Sequence, residues 1–147
     1  MIEHLLTPLI SEKFINDERY RNGHLRVINA LPETRILGVH IPELKMLAKS
    51  IAKQDDALEL ITRFEQEFLK GDLCLEEKLV WGLLINAVKL PESVKLILLK
   101  AFIPAMDNFA VCEQSAVISS GLKTKMPFGS SRSHILCQIR SLMFVLP

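Results

Sequence analysis

Apolar residues recur at the spacing of an α-helix along most of this 147-residue chain, and this periodicity limits the folds open to it. Leu44, Ala48 and Ile51, for example, occupy positions i, i+4 and i+7, which fall on one face of a helix. The alternation of apolar and polar residues between hairpin turns, which is typical of half-buried strands, is absent. The sequence therefore predicts an all-α fold.

Proline, glycine and acidic residues divide this pattern into successive segments. A first apolar stripe covers residues 5–14, and a weaker helix is expected over about residues 17–30. Further helices are predicted to follow Pro42 and Pro91, and to cover 55–71 and 76–88. Trp81, with leucines on both sides, is expected to be partly buried. Short connections between wide amphipathic helices favour a HEAT-like or armadillo-type superhelix of antiparallel helix pairs.

Three lysines form a row on the helix that follows Pro42. Lys45, Lys49 and Lys53 share a face that the apolar stripe leaves free. The net charge is only +1, so a chain-wide attraction to nucleic acid is not indicated, and the local distribution matters more. The row is either an ordinary solvated face or a set of phosphate contacts, which would bind without sequence preference and depend strongly on salt.

Several classes of protein are disfavoured. The three cysteines, Cys74, Cys112 and Cys137, are odd in number and form no CxxC pair, so neither a zinc knuckle nor a disulfide framework is indicated, and no metal site is expected. Charges interrupt every apolar run before it reaches the ~18 residues of a membrane span. The first residues lack the basic region and cleavage site of a signal peptide. We therefore expect a cytoplasmic protein that does not enter a membrane.

Three segments go beyond periodicity. They are Ile36 to Lys49, which contains Leu-Gly-Val-His-Ile-Pro-Glu-Leu-Lys; Trp81 to Ile85; and Phe102 to Glu113, which contains Pro-Ala-Met-Asp-Asn-Phe-Ala-Val-Cys. Together they resemble motifs of the AlkD-like DNA alkylation repair family, over roughly residues 2–125. The resemblance implies a curved HEAT-like stack whose concave surface holds duplex DNA. It also implies excision of cationic N3- or N7-methylpurines by hydrolysis of the N-glycosidic bond, with neither metal nor organic cofactor.

The resemblance assigns candidate site residues. Phe109 stands where the family has Trp, whose ring contacts the cationic lesion, and Glu113 stands where it has the Asp that stabilises charge on the sugar. His40 and Lys45, where Arg is common, and Lys49 are the candidate DNA contacts. Because both catalytic positions depart from the family pattern, we expect impaired activity. The alternative is a non-catalytic HEAT-like module that binds DNA or protein.

The composition changes abruptly near the end of the chain. Residues 114–147 hold four Lys or Arg, seven serines and no acidic residue. Reading the nucleotides one base earlier from Lys125, allowed codons spell Asn-Ala-Phe-Trp-Glu-Phe-Thr-Gln-Pro-Tyr-Leu, which resembles a later repeat of the family. We therefore expect a helical repeat domain over 1–125 and a non-native tail over 126–147, the alternative being a divergent Ser-rich tail. An unfinished helix stack would expose an apolar C-terminal face and could self-associate through it.

Overall fold

A computed structural model of the chain describes residues 1–29, 31–108 and 110–111. Within these ranges the regular structure is helical, with no strand, which confirms the all-α class for this part of the chain. None of the helices there is long and apolar enough to cross a bilayer. The α-helices are α1 (Glu3–Leu6), α2 (Glu12–Asn16), α3 (Glu18–Ile28), α4 (Ile41–Ile51), α5 (Ala57–Lys70), α6 (Leu75–Ala87) and α7 (Glu92–Phe102), and short 3₁₀ helices cover Thr7–Leu9 and Ile103–Ala105.

The first apolar stripe does not form one helix. Pro8 stands in the 3₁₀ helix that separates α1 from α2. Ile10 then pairs with Val39 in an isolated antiparallel bridge, and the backbone N–H of Ser11 donates to the carbonyl of Gly38 at 3.1 Å. The N-terminal segment is therefore interrupted at the 3₁₀ helix that contains Pro8, and the residues after it pair with the connection that leads into α4.

The helices from α3 onward begin and end at residues that the sequence marks. The Asp17 carboxylate caps α3 by accepting a hydrogen bond from the N–H of Tyr20 at 2.9 Å, and Asn29 ends this helix with a left-handed φ of 50°. Gly71 ends α5 in the same way, with φ of 81°. The prediction of a helix near 17–30 and of a stop at Gly71 is confirmed.

Helix α6 lies at the centre of the described part of the fold. It packs against α4, α5 and α7, and every residue from Leu75 to Ile85 is buried. Trp81 is 1% exposed, so the prediction of partial burial was wrong. Its ring meets Phe102 edge-on with 5.0 Å between centroids and lies beside Phe64 and Phe68. This aromatic cluster joins α5, α6 and α7 into one core.

Candidate functional site

The outward face of α4 carries the lysines that the sequence predicts. Leu44 and Ala48 are buried on the side of α4 that meets α6. Lys45 and Lys49 are exposed on the helix, and Lys53 is exposed just beyond its end. The predicted division of α4 into a core face and a basic face is therefore confirmed.

These cations have no partner in the part of the chain that the structure describes. Neither Lys45 nor Lys49 makes an ion pair or a side-chain hydrogen bond there. On α5, by contrast, Arg63 pairs with Glu59 at 2.6 Å, and the lysine at its C-terminal end pairs with Glu67 at 2.7 Å. Within the described ranges the lysines of α4 thus form no ion pair, whereas the basic residues of α5 are neutralised locally.

A buried carboxylate positions the start of α4. The Glu76 side chain, on α6, accepts hydrogen bonds from three successive backbone N–H groups: Leu37 at 3.0 Å, Gly38 at 2.7 Å and Val39 at 3.4 Å. These groups precede His40, which caps α4 and is exposed. Because buried N–H groups need acceptors, this contact fixes the path of the chain into the basic helix.

Gly38 is required at the centre of this connection. Its φ of +92° lies in the region that favours glycine. A Cβ added there would overlap the ring of Phe14, which is buried against the glycine. The close approach of Phe14 and the acceptor on Glu76 therefore hold the same short segment from opposite sides.

The second buried carboxylate, Glu77, gathers the N-terminal residues. Its oxygens accept from the Met1 ammonium at 2.6 Å, from the Ile2 N–H at 2.7 Å and from the Cys74 N–H at 3.3 Å. Burial favours the protonated acid, but these hydrogen bonds outweigh it and the pKa of Glu77 lies below its ordinary value. Burial raises the pKa of the Cys74 thiol to about 12. Glu77 is therefore a structural anion and Cys74 an unreactive thiol.

The same corner brings three potential metal ligands together. The ligand atoms of Glu3, Cys74 and Glu77 lie within 4.8 Å of one another. Glu3 forms an ion pair with Arg35, Glu77 already accepts three hydrogen bonds, and the thiol holds its proton to high pH. These groups serve the packing of the N-terminal residues on α6, and their chemistry does not favour a cation there.

A partly buried ion pair joins α6 to the segment that follows the second 3₁₀ helix. The Lys78 ammonium pairs with Asp107, whose carboxylate also accepts from the side-chain amide of Asn108 at 2.7 Å. The Asn108 side-chain oxygen accepts from the N–H of Val111 at 3.1 Å, in the manner of a helix N-cap. The candidate residues Phe109 and Glu113 come next in sequence and lie outside the described residues.

His24 is a residue near the site that the sequence does not single out. It is half-buried on α3, where it meets the rings of Phe14 and Tyr20. Burial lowers the pKa of His24, His40 lowers it further, and Glu76 acts in the opposite direction. The His24 imidazole therefore favours the neutral form.

The buried charges of α6 also escaped the sequence analysis. Glu76 and Glu77 open the helix predicted over residues 76–88, and the structure shows that both of them and Lys78 are buried. The sequence does contain a signal of this burial, because α6 carries its own apolar residues on every face, which is typical of a fully enclosed helix. In such a helix charged residues must have partners elsewhere in the fold.

Comparisons with known proteins found no matching family model, no matching curated protein and no matching solved structure.

Proposed function

We propose that the chain is a DNA-binding protein related to the AlkD-like alkylation repair proteins, and that the outward face of α4 contacts the phosphate backbone. The observation that carries the proposal is the row of exposed lysines, Lys45 and Lys49, which have no ion-pair partner among the described residues and follow the exposed N-cap residue His40. Unpaired cations on a rigid element suit phosphate binding, because no internal salt bridge must break first.

The arrangement of the helices supports a HEAT-like stack as part of the same proposal. Helix α6 packs against its neighbours in sequence, α5 and α7, and also against α4. Contact between a helix and the second one after it is typical of repeated helix pairs, where equivalent helices stack side by side. In such a stack α4 and α6 would belong to one layer, with the lysines of α4 at its surface.

The row suits contacts that do not depend on sequence. Positions i and i+4 are separated by ~6 Å along a helix, so Lys45 and Lys49 can reach different phosphates. A lysine ammonium is a compact charge on a flexible stem and tolerates variation in the position of its partner. The proposed contacts therefore position duplex DNA and do not read its bases.

Excision of an alkylated purine is the proposed chemistry. A cationic methylpurine is a good leaving group, so the main requirement is to stabilise positive charge on the deoxyribose. The carboxylate of Glu113 would supply that stabilisation and Phe109 would offer an aromatic face to the lesion. With Phe for Trp and Glu for Asp, we propose that the reaction is slow.

A salt titration tests the binding. Fluorescence anisotropy with a labelled 20-base-pair duplex would compare the wild type with Lys45→Ala/Lys49→Ala and with Arg63→Ala/Lys70→Ala, which removes the same charge from paired sites. Losing two phosphate contacts should weaken binding about tenfold at 0.1 M salt and reduce the salt slope by about 2. The α5 variant should resemble the wild type. Equal effects of both variants would overturn the proposed surface.

The chemistry has its own test. Excess protein would be incubated with a duplex that carries one N7-methylguanine, and abasic sites would be detected by alkaline cleavage. Slow release that Glu113→Gln abolishes, with DNA affinity unchanged, is the expected result. Binding without any release would favour the alternative, a non-catalytic DNA-binding module.

A further inference from the structure

Helix α3 has a second basic face. Arg19, Asn22, Gly23 and Arg26 follow positions i, i+3, i+4 and i+7, and with Glu18 they line a shallow groove along the helix. All of them are exposed, and the groove lies on the side of α3 opposite its buried face. The groove is therefore open to a ligand along its length.

The two arginines of the groove are not used by the fold. Arg19 and Arg26 make no ion pair with any residue in the described ranges. Their neighbours differ, since Arg21 donates to the Phe14 and Ile15 carbonyls at the end of α2, and Arg35 pairs with an acidic side chain of α1. On α3, Arg21 therefore stabilises the fold, whereas Arg19 and Arg26 have no partner among the described residues.

Gly23 shapes the floor of the groove. A Cβ added to it would meet nothing within 4 Å, so no neighbour requires glycine at this position. Glycine costs helix stability, yet here it leaves bare backbone between the two guanidinium groups. A planar guanidinium binds a phosphate through two parallel hydrogen bonds, and the Asn22 amide adds a further donor on the same face.

We propose that Arg19 and Arg26 form a second phosphate-binding row, which binds the backbone of duplex DNA. This inference rests on the proposed function. Seven residues of helix span ~10 Å, which lets the two side chains reach separate phosphates of one strand. Glu18 lies at the N-terminal end of the groove and repels an anion there. Arg26, farther from it, therefore makes the larger contribution.

The test uses the full chain and the same duplex as before. Arg19→Ala/Arg26→Ala should weaken DNA binding about fivefold to tenfold at 0.1 M salt and lower the salt slope by about one to two. This is roughly the effect expected of Lys45→Ala/Lys49→Ala. Arg26→Ala alone should have a larger effect than Arg19→Ala. Arg63→Ala, an exposed arginine with a partner on α5, is the matched control.

A substitution that removes no arginine gives an independent check. Gly23→Glu places a carboxylate between the two cations without a steric clash, and Gly23→Gln is its neutral counterpart. Only the Glu variant should lose affinity, while both keep the helical circular dichroism of the wild type. If the α4 variant weakens binding and the α3 variants do not, the second row is wrong and the proposed function stands. If no form of the chain binds the duplex, both fail.

Discussion

Helices α4 and α6 pack against each other, but the lysines of α4 and the charged side chains at the start of α6 lie in opposite surroundings. On α4, Lys45 and Lys49 are exposed and have no partner among the described residues. On α6, Glu76, Glu77 and Lys78 are buried and each is hydrogen-bonded to a distant part of the chain. Charged side chains therefore hold the fold at the start of α6, whereas the two lysines of α4 have no such contact among the described residues.

The difference has a physical basis. A buried charge costs several kcal/mol unless it is paired, so it survives only where its partners are fixed. An exposed charge costs little and needs no partner. Removing a buried charge from α6 should therefore lower the stability of the fold. Removing a lysine from α4 should instead weaken the proposed DNA binding and leave the fold unchanged.

The largest expected effect is at Glu76. Glu76→Ala leaves three backbone N–H groups without an acceptor, at about 1–3 kcal/mol each, so the free energy of unfolding should fall by about 3–9 kcal/mol. Urea unfolding followed by circular dichroism measures it. Glu76→Gln keeps an acceptor oxygen and should lose less, which still gives a value if the Ala variant does not fold. The exposed Glu59→Ala is the control, and a loss below about 1 kcal/mol for Glu76→Ala contradicts the comparison.

The segment that Glu76 holds gives the next effect. Gly38→Ala combines a left-handed φ with an overlap on Phe14 and should lower the free energy of unfolding by about 3 kcal/mol. Gly71→Ala shares the positive φ but meets no atom within 4 Å, so it should cost about 1 kcal/mol. Equal losses in urea unfolding would show that the contact with Phe14 adds nothing.

The local features of the fold could be predicted from the sequence. Helices α3 to α7 follow from apolar periodicity and from signals within a few residues, such as the stop at Gly71 and the start near Pro42. The exposure of Lys45 and Lys49 follows from the same periodicity. These predictions succeed because each one depends on contacts within one helix or at its ends.

The features that the sequence did not predict depend on contacts between distant residues. Glu76 meets residues about 38 positions earlier, and Lys78 meets Asp107, 29 positions later. Directly after the 3₁₀ helix that interrupts the first apolar stripe, Ile10 pairs with Val39. Periodicity carries no information on such partners, so the burial of the charges at the start of α6 was not predicted.

Cys74 gives a smaller effect at the buried end of α6. The pKa of the thiol is raised from about 9 in the unfolded chain to about 12 in the folded protein, so folding favours the protonated thiol. The stability that the thiol contributes is therefore complete below pH 9 and is lost as the pH rises towards 12. At pH 10 the loss should be about 1 kcal/mol. Urea unfolding at pH 8 and pH 10 would show this difference, and Cys74→Ala should remove it. A thiol that reacts rapidly with an aromatic disulfide at pH 8 in a Cys112→Ser/Cys137→Ser background would contradict its burial.

The smallest effect on stability is expected on α4, and its sign is informative. Lys45 and Lys49 are like charges at i and i+4, which destabilise a helix by ~0.2–0.5 kcal/mol. Lys45→Ala/Lys49→Ala should therefore raise the free energy of unfolding slightly at low salt, also because Ala is the better helix former. The part due to repulsion should vanish at 0.5 M salt, where exposed charges are screened. A loss above about 1 kcal/mol would mean that the lysines stabilise the fold, and the contrast between α4 and α6 would then fail. A gain in stability together with a loss of DNA affinity would show that Lys45 and Lys49 serve ligand binding and do not stabilise the fold.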